Sequence, residues 1–161
     1  MNEFKDVIFY IPKLEELKYR KKILNDELTM AYNHSYGGII NFDESVWDMW
    51  YKKWIIEADK RFYRYILDKE TNQFVGELAY YYNMEYKCYI VHLLIEYKYR
   101  NKGYGTIALK KLCEQAVTDG INELCDDIAI DNPAINLFKK NGFIEIYRND
   151  KFIFVKKKLL P

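Results

Sequence analysis

Apolar positions recur along the chain at strand-like and helix-like spacings, and the changes of spacing divide it into elements. Val7, Ile8, Phe9 and Tyr10 form a short apolar run before Pro12 and predict a first strand. Within residues 14–31, Leu14, Leu17, Ile23, Leu24 and Leu28 recur among charges at near-helical spacing, which predicts an amphipathic helix. Residues 33–38, Asn-His-Ser-Tyr-Gly-Gly, read as a loop. Asp43 or Ser45 is suited to cap a second helix whose Trp47, Trp50, Tyr51 and Trp54 fall largely on one face. Residues 61–67 and 73–81 alternate or run apolar on either side of the turn-forming residues 68–72, a hairpin signal.

The second half continues the alternation of strand and helix. Residues 88–95 are rich enough in Tyr, Ile, Val and Leu to predict a strand buried on both faces. From Tyr104 to Val117 the positions Ile107, Ala108, Leu112, Cys113 and Ala116 mark a helix that Asp119-Gly120 ends. Residues 123–130 form the next strand, and Asn132-Pro133 opens a short helix that runs to Lys140 and stops at Asn141-Gly142. Residues 143–147 and 152–158 alternate as a closing hairpin. No repeat, low-complexity tract or linker interrupts the pattern, so residues 1–161 are expected to form a single mixed α/β domain.

Composition narrows the function classes. Half of the residues are apolar, and the 25 basic and 24 acidic residues leave a net charge of +1, so there is no global field to steer nucleic acid. The three cysteines, Cys88, Cys113 and Cys125, lack C-x-x-C spacing, so no disulfide framework or metal site is indicated. They read as reduced, mostly buried thiols. The absence of a signal core or a long apolar span completes the expectation of a soluble cytoplasmic protein without a membrane partner.

Candidate chemistry is densest in residues 99–106, Tyr-Arg-Asn-Lys-Gly-Tyr-Gly-Thr, between the third strong strand and its helix. Gly103 and Gly105 allow a sharp turn whose amides approach a ligand, the helix start supplies a positive dipole end, and Arg100 and Lys102 add charge. Such a loop suits a pyrophosphate. Gly103-x-Gly105-x-x-Ala108 also satisfies a dinucleotide fingerprint with Asp126 near the acidic offset, but residues 96–102 separate it from the strand, unlike a Rossmann turn. Arg100-x-x-Gly103-x-Gly105, then Asn132, then Leu137-Phe138-Lys139-Lys140-Asn141-Gly142-Phe143 resemble the GCN5-related N-acetyltransferase (GNAT) family.

The resemblance implies an α/β (α+β) fold. Its mixed, mostly antiparallel sheet would hold a splayed central parallel pair, flanked by about four helices. It implies an acetyl-CoA-dependent acetyltransferase that moves the acetyl group directly to an amine of a small molecule or an exposed amino group. The backbone of Leu93, Leu94 and Ile95 would bond the pantetheine arm, with one amide near Leu93 polarising the thioester. Arg100, Asn101, Lys102, Gly103, Tyr104, Gly105 and Thr106 would wrap the pyrophosphate, and Asn132 and Phe138 would approach the cofactor. Relatives are often dimers, so a homodimer is within the expectation.

The match departs where many relatives carry a tyrosine that protonates the departing thiolate, because this chain has Phe138 there. Another tyrosine supplies the proton, the thiolate leaves into water, or turnover is weak; in the last case the chain is a CoA-binding interaction module. Two residues are candidates for the base. His92 is of the residue type suited to proton transfer near neutral pH but has the opposite strand parity from Tyr89, Val91 and Leu93 unless a bulge intervenes. Glu77 is a carboxylate in an apolar strand that either faces water or has a task. Asp126, Asp127 and Asp131 could attract a cationic amine, His34 and Tyr36 would shape the acceptor pocket, and the tryptophan stripe reads as core.

Overall fold

The computed structural model describes residues 5–159. Its strands are β1 Val7–Tyr10, β2 Arg61–Asp68, β3 Phe74–Asn83, β4 Cys88–Ile95, β5 Glu123–Ala129, β6 Ile144–Arg148 and β7 Phe152–Lys158. They form one seven-stranded sheet in the order β1-β2-β3-β4-β5-β7-β6. Every neighbouring pair is antiparallel except β4 and β5, which run parallel and pair only at Tyr89 with Leu124 and Ile90 with Cys125. Beyond those positions the two strands part.

Four α-helices flank the sheet: α1 Leu17–Leu24, α2 Trp47–Tyr51, α3 Tyr104–Thr118 and α4 Ala134–Lys140. Helix α3 buries Ala108, Leu109, Leu112 and Ala116 in a core with Leu78 and Tyr80 of β3, Val91 of β4, Leu124 and Ile128 of β5, and Phe138 of α4. Full burial of a leucine-sized side chain is worth roughly 1.5–3 kcal/mol, so this stripe fixes α3 more firmly than its helix propensity does. On the opposite face, α1 and the α2 region pack Leu17, Leu24, Phe42, Trp47 and Trp50 over the sheet, and Trp50 and Trp54 reach Tyr63 and Ala79. The tryptophan stripe is therefore structural packing.

Three local outcomes differ from the sequence pattern. The predicted helix over 14–31 is α-helical only to Leu24, because the following residues are recruited elsewhere. Thr29 Oγ1 accepts the Tyr97 N–H at 3.0 Å, and the Thr29 carbonyl accepts from Arg100 Nη2 at 2.5 Å. Residues read as a loop instead form a 3₁₀ turn, Ala31–Tyr36, that ends at Gly37 with φ +105°. Strand β4 is buried on both faces only in its first half; residues 92–95 are half-exposed because they border the opening left by β5. At the second helix, Asp43 is the capping residue, accepting from the Ser45 N–H at 3.1 Å.

Candidate active site

The parting of β4 and β5 opens a cavity of about 620 Å³. Leu93, Leu94 and Ile95 line it from β4, and Arg100, Asn101, Gly103, Tyr104, Gly105 and Thr106 line it from the following loop and α3. Asn132, Leu137 and Phe138 close it from the α4 side. Lys102 is exposed outside this lining, and Glu77 lies behind it. The backbone groups of β4 that turn away from β3 beyond Ile90 have no β5 ladder to satisfy them and can pair with an extended polar chain.

The loop before α3 has the backbone of an anion cradle. Asn101 (φ +60°) and Gly103 (φ +92°) both adopt left-handed conformations just before the helix start, the kind of backbone from which anion-binding nests of N–H groups are built. Gly105 serves packing: an added Cβ would approach Leu137 Cδ2 at 3.0 Å. Arg100 is already engaged, donating from Nε to the Ile95 carbonyl at 3.0 Å and from Nη2 to Thr29, so it ties the 25–40 segment to the end of β4. Asn132 caps α4 by accepting the Ala134 N–H on Oδ1 at 2.9 Å, leaving its side-chain NH₂ as the donor available to the cavity.

On the α1 face, three distant segments converge on Glu77, which is fully buried. Its Oε2 contacts His92 Nε2 at 2.7 Å and forms an ion pair with Arg20, while Oε1 accepts the Tyr63 hydroxyl at 2.9 Å. Burial would raise this carboxyl, but the Arg20 charge and the His92 hydrogen bond outweigh it and hold Glu77 at about 2. Arg20 is held in turn over the rings of Phe42, Trp50 and Tyr63 at 4.9, 4.8 and 5.5 Å. An ionised Glu77 accepts only, so His92 Nε2 carries the proton of that hydrogen bond. The register between β3 and β4 is unbroken from Gly76 with Ile95 to Asn83 with Cys88, so no bulge reverses the parity of His92. It sits on the face opposite Val91 and Leu93, and that face also borders the cavity.

The cavity continues to Asp126 and Asp127 on β5 and to Tyr36 and Tyr81. Burial, then the charge of Asp127, pushes the Asp126 carboxyl well above the usual carboxylate range. Burial also raises Asp127, with the Tyr86 hydroxyl, a donor at 3.1 Å, pulling the other way. His34 does not reach into the cavity lining; it contacts Asp131 at 3.2 Å near the surface. Phe138 is buried, edge-to-face with Phe143 at 4.9 Å, and presents only ring carbons to the cavity.

The profile of the Acetyltransferase (GNAT) family matches residues 23–143. The chain belongs to that family. No curated protein sequence matches it significantly. Among solved structures, the spermidine N-acetyltransferase of Vibrio cholerae in complex with CoA and spermine is 16% identical and superposes with a TM-score of 0.74 over 93% of this chain and 92% of that one. An N-acetyltransferase from Staphylococcus aureus Mu50 is 17% identical, with a TM-score of 0.74 over 96% and 99% of the two chains. A GNAT-family acetyltransferase from Bacillus anthracis is 15% identical, with a TM-score of 0.71 over 99% and 97%. At these identities the likeness is one of fold, and the seven-stranded sheet with one parallel pair and four helices is the GNAT architecture. The protein is thus an acetyltransferase of the GNAT type, and its β4–β5 opening suits the extended arm of acetyl-CoA.

Sequence reasoning about this GNAT chain missed Arg20, Tyr63 and Gly76. Arg20 is one of several cations in an amphipathic helix, and nothing in its spacing separates it from its neighbours. Only the fold places it against a carboxylate 57 positions away.

Proposed function

We propose that the protein carries acetyl from acetyl-CoA directly to a primary amine that enters from the α1 face, with His92 as general base and Glu77 as its positioning residue. The observation that carries this reading is the 2.7 Å contact between His92 Nε2 and Glu77 Oε2 beside the opening of the sheet. A histidine held in one tautomer by a buried carboxylate offers its other nitrogen to a substrate proton. Acetyl-CoA supplies the activated acyl group. The chain's part is to bind it along Leu93, Leu94 and Ile95, to cradle its phosphates with Arg100 to Thr106, and to meet the pantetheine with Asn132 and Phe138. No covalent enzyme intermediate is needed, since Cys88, Cys113 and Cys125 are all buried and free.

The acceptor is a small amine or an exposed amino group, and the Asp127 carboxylate on the cavity wall favours a cationic one. Among the described residues no helix is long and apolar enough to cross a membrane. A reducing cytoplasmic setting and a homodimer belong to the same reading. The test is free-thiol release from acetyl-CoA across monoamines, diamines, polyamines, amino acids and lysyl peptides, with melting temperature followed in parallel. Thiol release with at least one amine class is expected. Stabilisation by CoA without release would favour a binding module, the reading that Phe138 motivates.

A further inference from the structure

Asp126 is the first residue of β5 beyond the last one paired to β4, because the parallel ladder ends at Ile90 and Cys125. It therefore stands at the vertex of the opening. Side chains alternate along a strand, so Asp126 shares a face with Leu124 and Ile128. Both pack in the core that contains Phe138, and Asp126 and Phe138 line the same cavity. The carboxyl is consequently on the α4 side of the split, while His92 and Glu77 are on the α1 side. An acid and a base on opposite sides of a split match a transfer in which the nucleophile sheds a proton and the leaving group gains one.

Other tyrosines around the cavity are committed, turned away or, like Tyr32 at 39%, open to solvent. The Tyr104 hydroxyl is bonded to Asp68, and the Tyr99 hydroxyl donates to Gln73 at 2.8 Å. Asp127 faces the other way along the strand and accepts from Tyr86. Tyr81 lies opposite Ile90 in the β3–β4 register, on the His92 face, and Tyr36 is more than half exposed.

We propose that Asp126 is the general acid of this acetyltransferase, passing its carboxyl proton to the CoA sulfur where Phe138 has no hydroxyl to offer. The inference rests on the acetyl-transfer reading above. The amide C–N bond forms, the carbonyl–sulfur bond breaks, and its electron pair stays on sulfur, which takes the proton of Asp126. His92 holds the proton from the amine. Exchange with water then returns a proton to Asp126 and removes one from His92, leaving amide and free thiol.

An acid must be protonated in the resting enzyme, and the surroundings of Asp126 favour that. Burial and the Asp127 charge both act to keep it neutral, opposed only by a backbone N–H of Asp127. The other titratable groups near it are Tyr81 from β3, Tyr36 from the 3₁₀ turn and Cys125 beside it on β5. On β7, Lys156, which pairs with Cys125 in the register, contacts Glu123 at 3.6 Å.

The test compares wild type, Asp126→Asn, Phe138→Tyr and the double variant, using acetyl-CoA and the best amine of the panel. Asp126→Asn is expected to lower kcat at least tenfold while leaving KM for acetyl-CoA and the thermal shift with CoA unchanged, and to abolish the alkaline fall of the wild-type kcat profile. Adding Phe138→Tyr should restore most of the loss. Wild-type kcat in Asp126→Asn overturns the proposal, and so does a loss that the tyrosine fails to relieve in a variant that still responds to CoA. A readout without turnover is the melting temperature of the free protein against pH. The folded chain favours the protonated carboxyl, so Asp126→Asn should gain on wild type as pH rises, and a constant gap overturns the proposal. If wild type releases no thiol with any amine, the acetyl-transfer reading fails instead, and the melting comparison still reports on Asp126.

Discussion

Gly76 shows how one missing methyl sets the strand spacing on which the cavity depends. A Cβ built there would lie 2.2 Å from the Leu94 carbonyl oxygen and 3.0 Å from Ile95 Cα, both backbone atoms of β4 with no room to yield. Gly76→Ala is therefore expected to destabilise by roughly 1–3 kcal/mol and to push Leu94 and Ile95 away from their places along the β4–β5 opening. Urea denaturation and the thermal shift with CoA check it: a lower midpoint and a smaller shift are expected. Gly105→Ala is the control, because its Cβ meets only side-chain atoms, Leu137 Cδ2 at 3.0 Å and Ile95 Cγ1 at 4.0 Å, so its cost should be clearly smaller. Neither difference is visible in the sequence, where a glycine inside a strand pattern signals a bulge, a bend or a close approach alike.

At the scale of elements, the cavity wall from Leu93 to Thr106 was legible because it is nearly contiguous: one strand end, one loop and one helix start. Local turn chemistry and a dipole end carry that information in short spacings. The α1-face half was not, because Arg20, Tyr63, Glu77 and His92 come from α1, β2, β3 and β4 and meet only through strand register. Glu77 could be read as solvent-facing as long as β3 was given one wet face; covering both faces of the sheet removed the water. The coupling is testable. Arg20→Met leaves a buried carboxylate without its cation and should cost about 3–5 kcal/mol, whereas the same change in a Glu77→Gln background should cost much less. A double-mutant cycle in urea measures the difference, and additive losses would show that Arg20 acts through its aromatic neighbours alone.

For the whole molecule, the split sheet sets a conflict between stability and chemistry that pH can expose. Glu77, held at about 2 against an ordinary 4.5, is a depressed carboxyl. Between those values the unfolded chain binds the extra proton, so the contribution of Glu77 is fully present above pH 4.5 and is lost as pH falls towards 2. The shift corresponds to a contribution on the order of 3 kcal/mol. The Glu77→Gln variant should therefore be less stable than wild type at neutral pH, and the two should converge as pH falls through that window. Asp126 has the opposite sign: its raised carboxyl weakens the fold increasingly as pH rises. Wild type should thus have a narrower stability maximum than Glu77→Gln on the acid side and than Asp126→Asn on the alkaline side. Chemical denaturation of all three proteins across pH checks this, and parallel curves would show that neither carboxyl titrates differently in the folded chain.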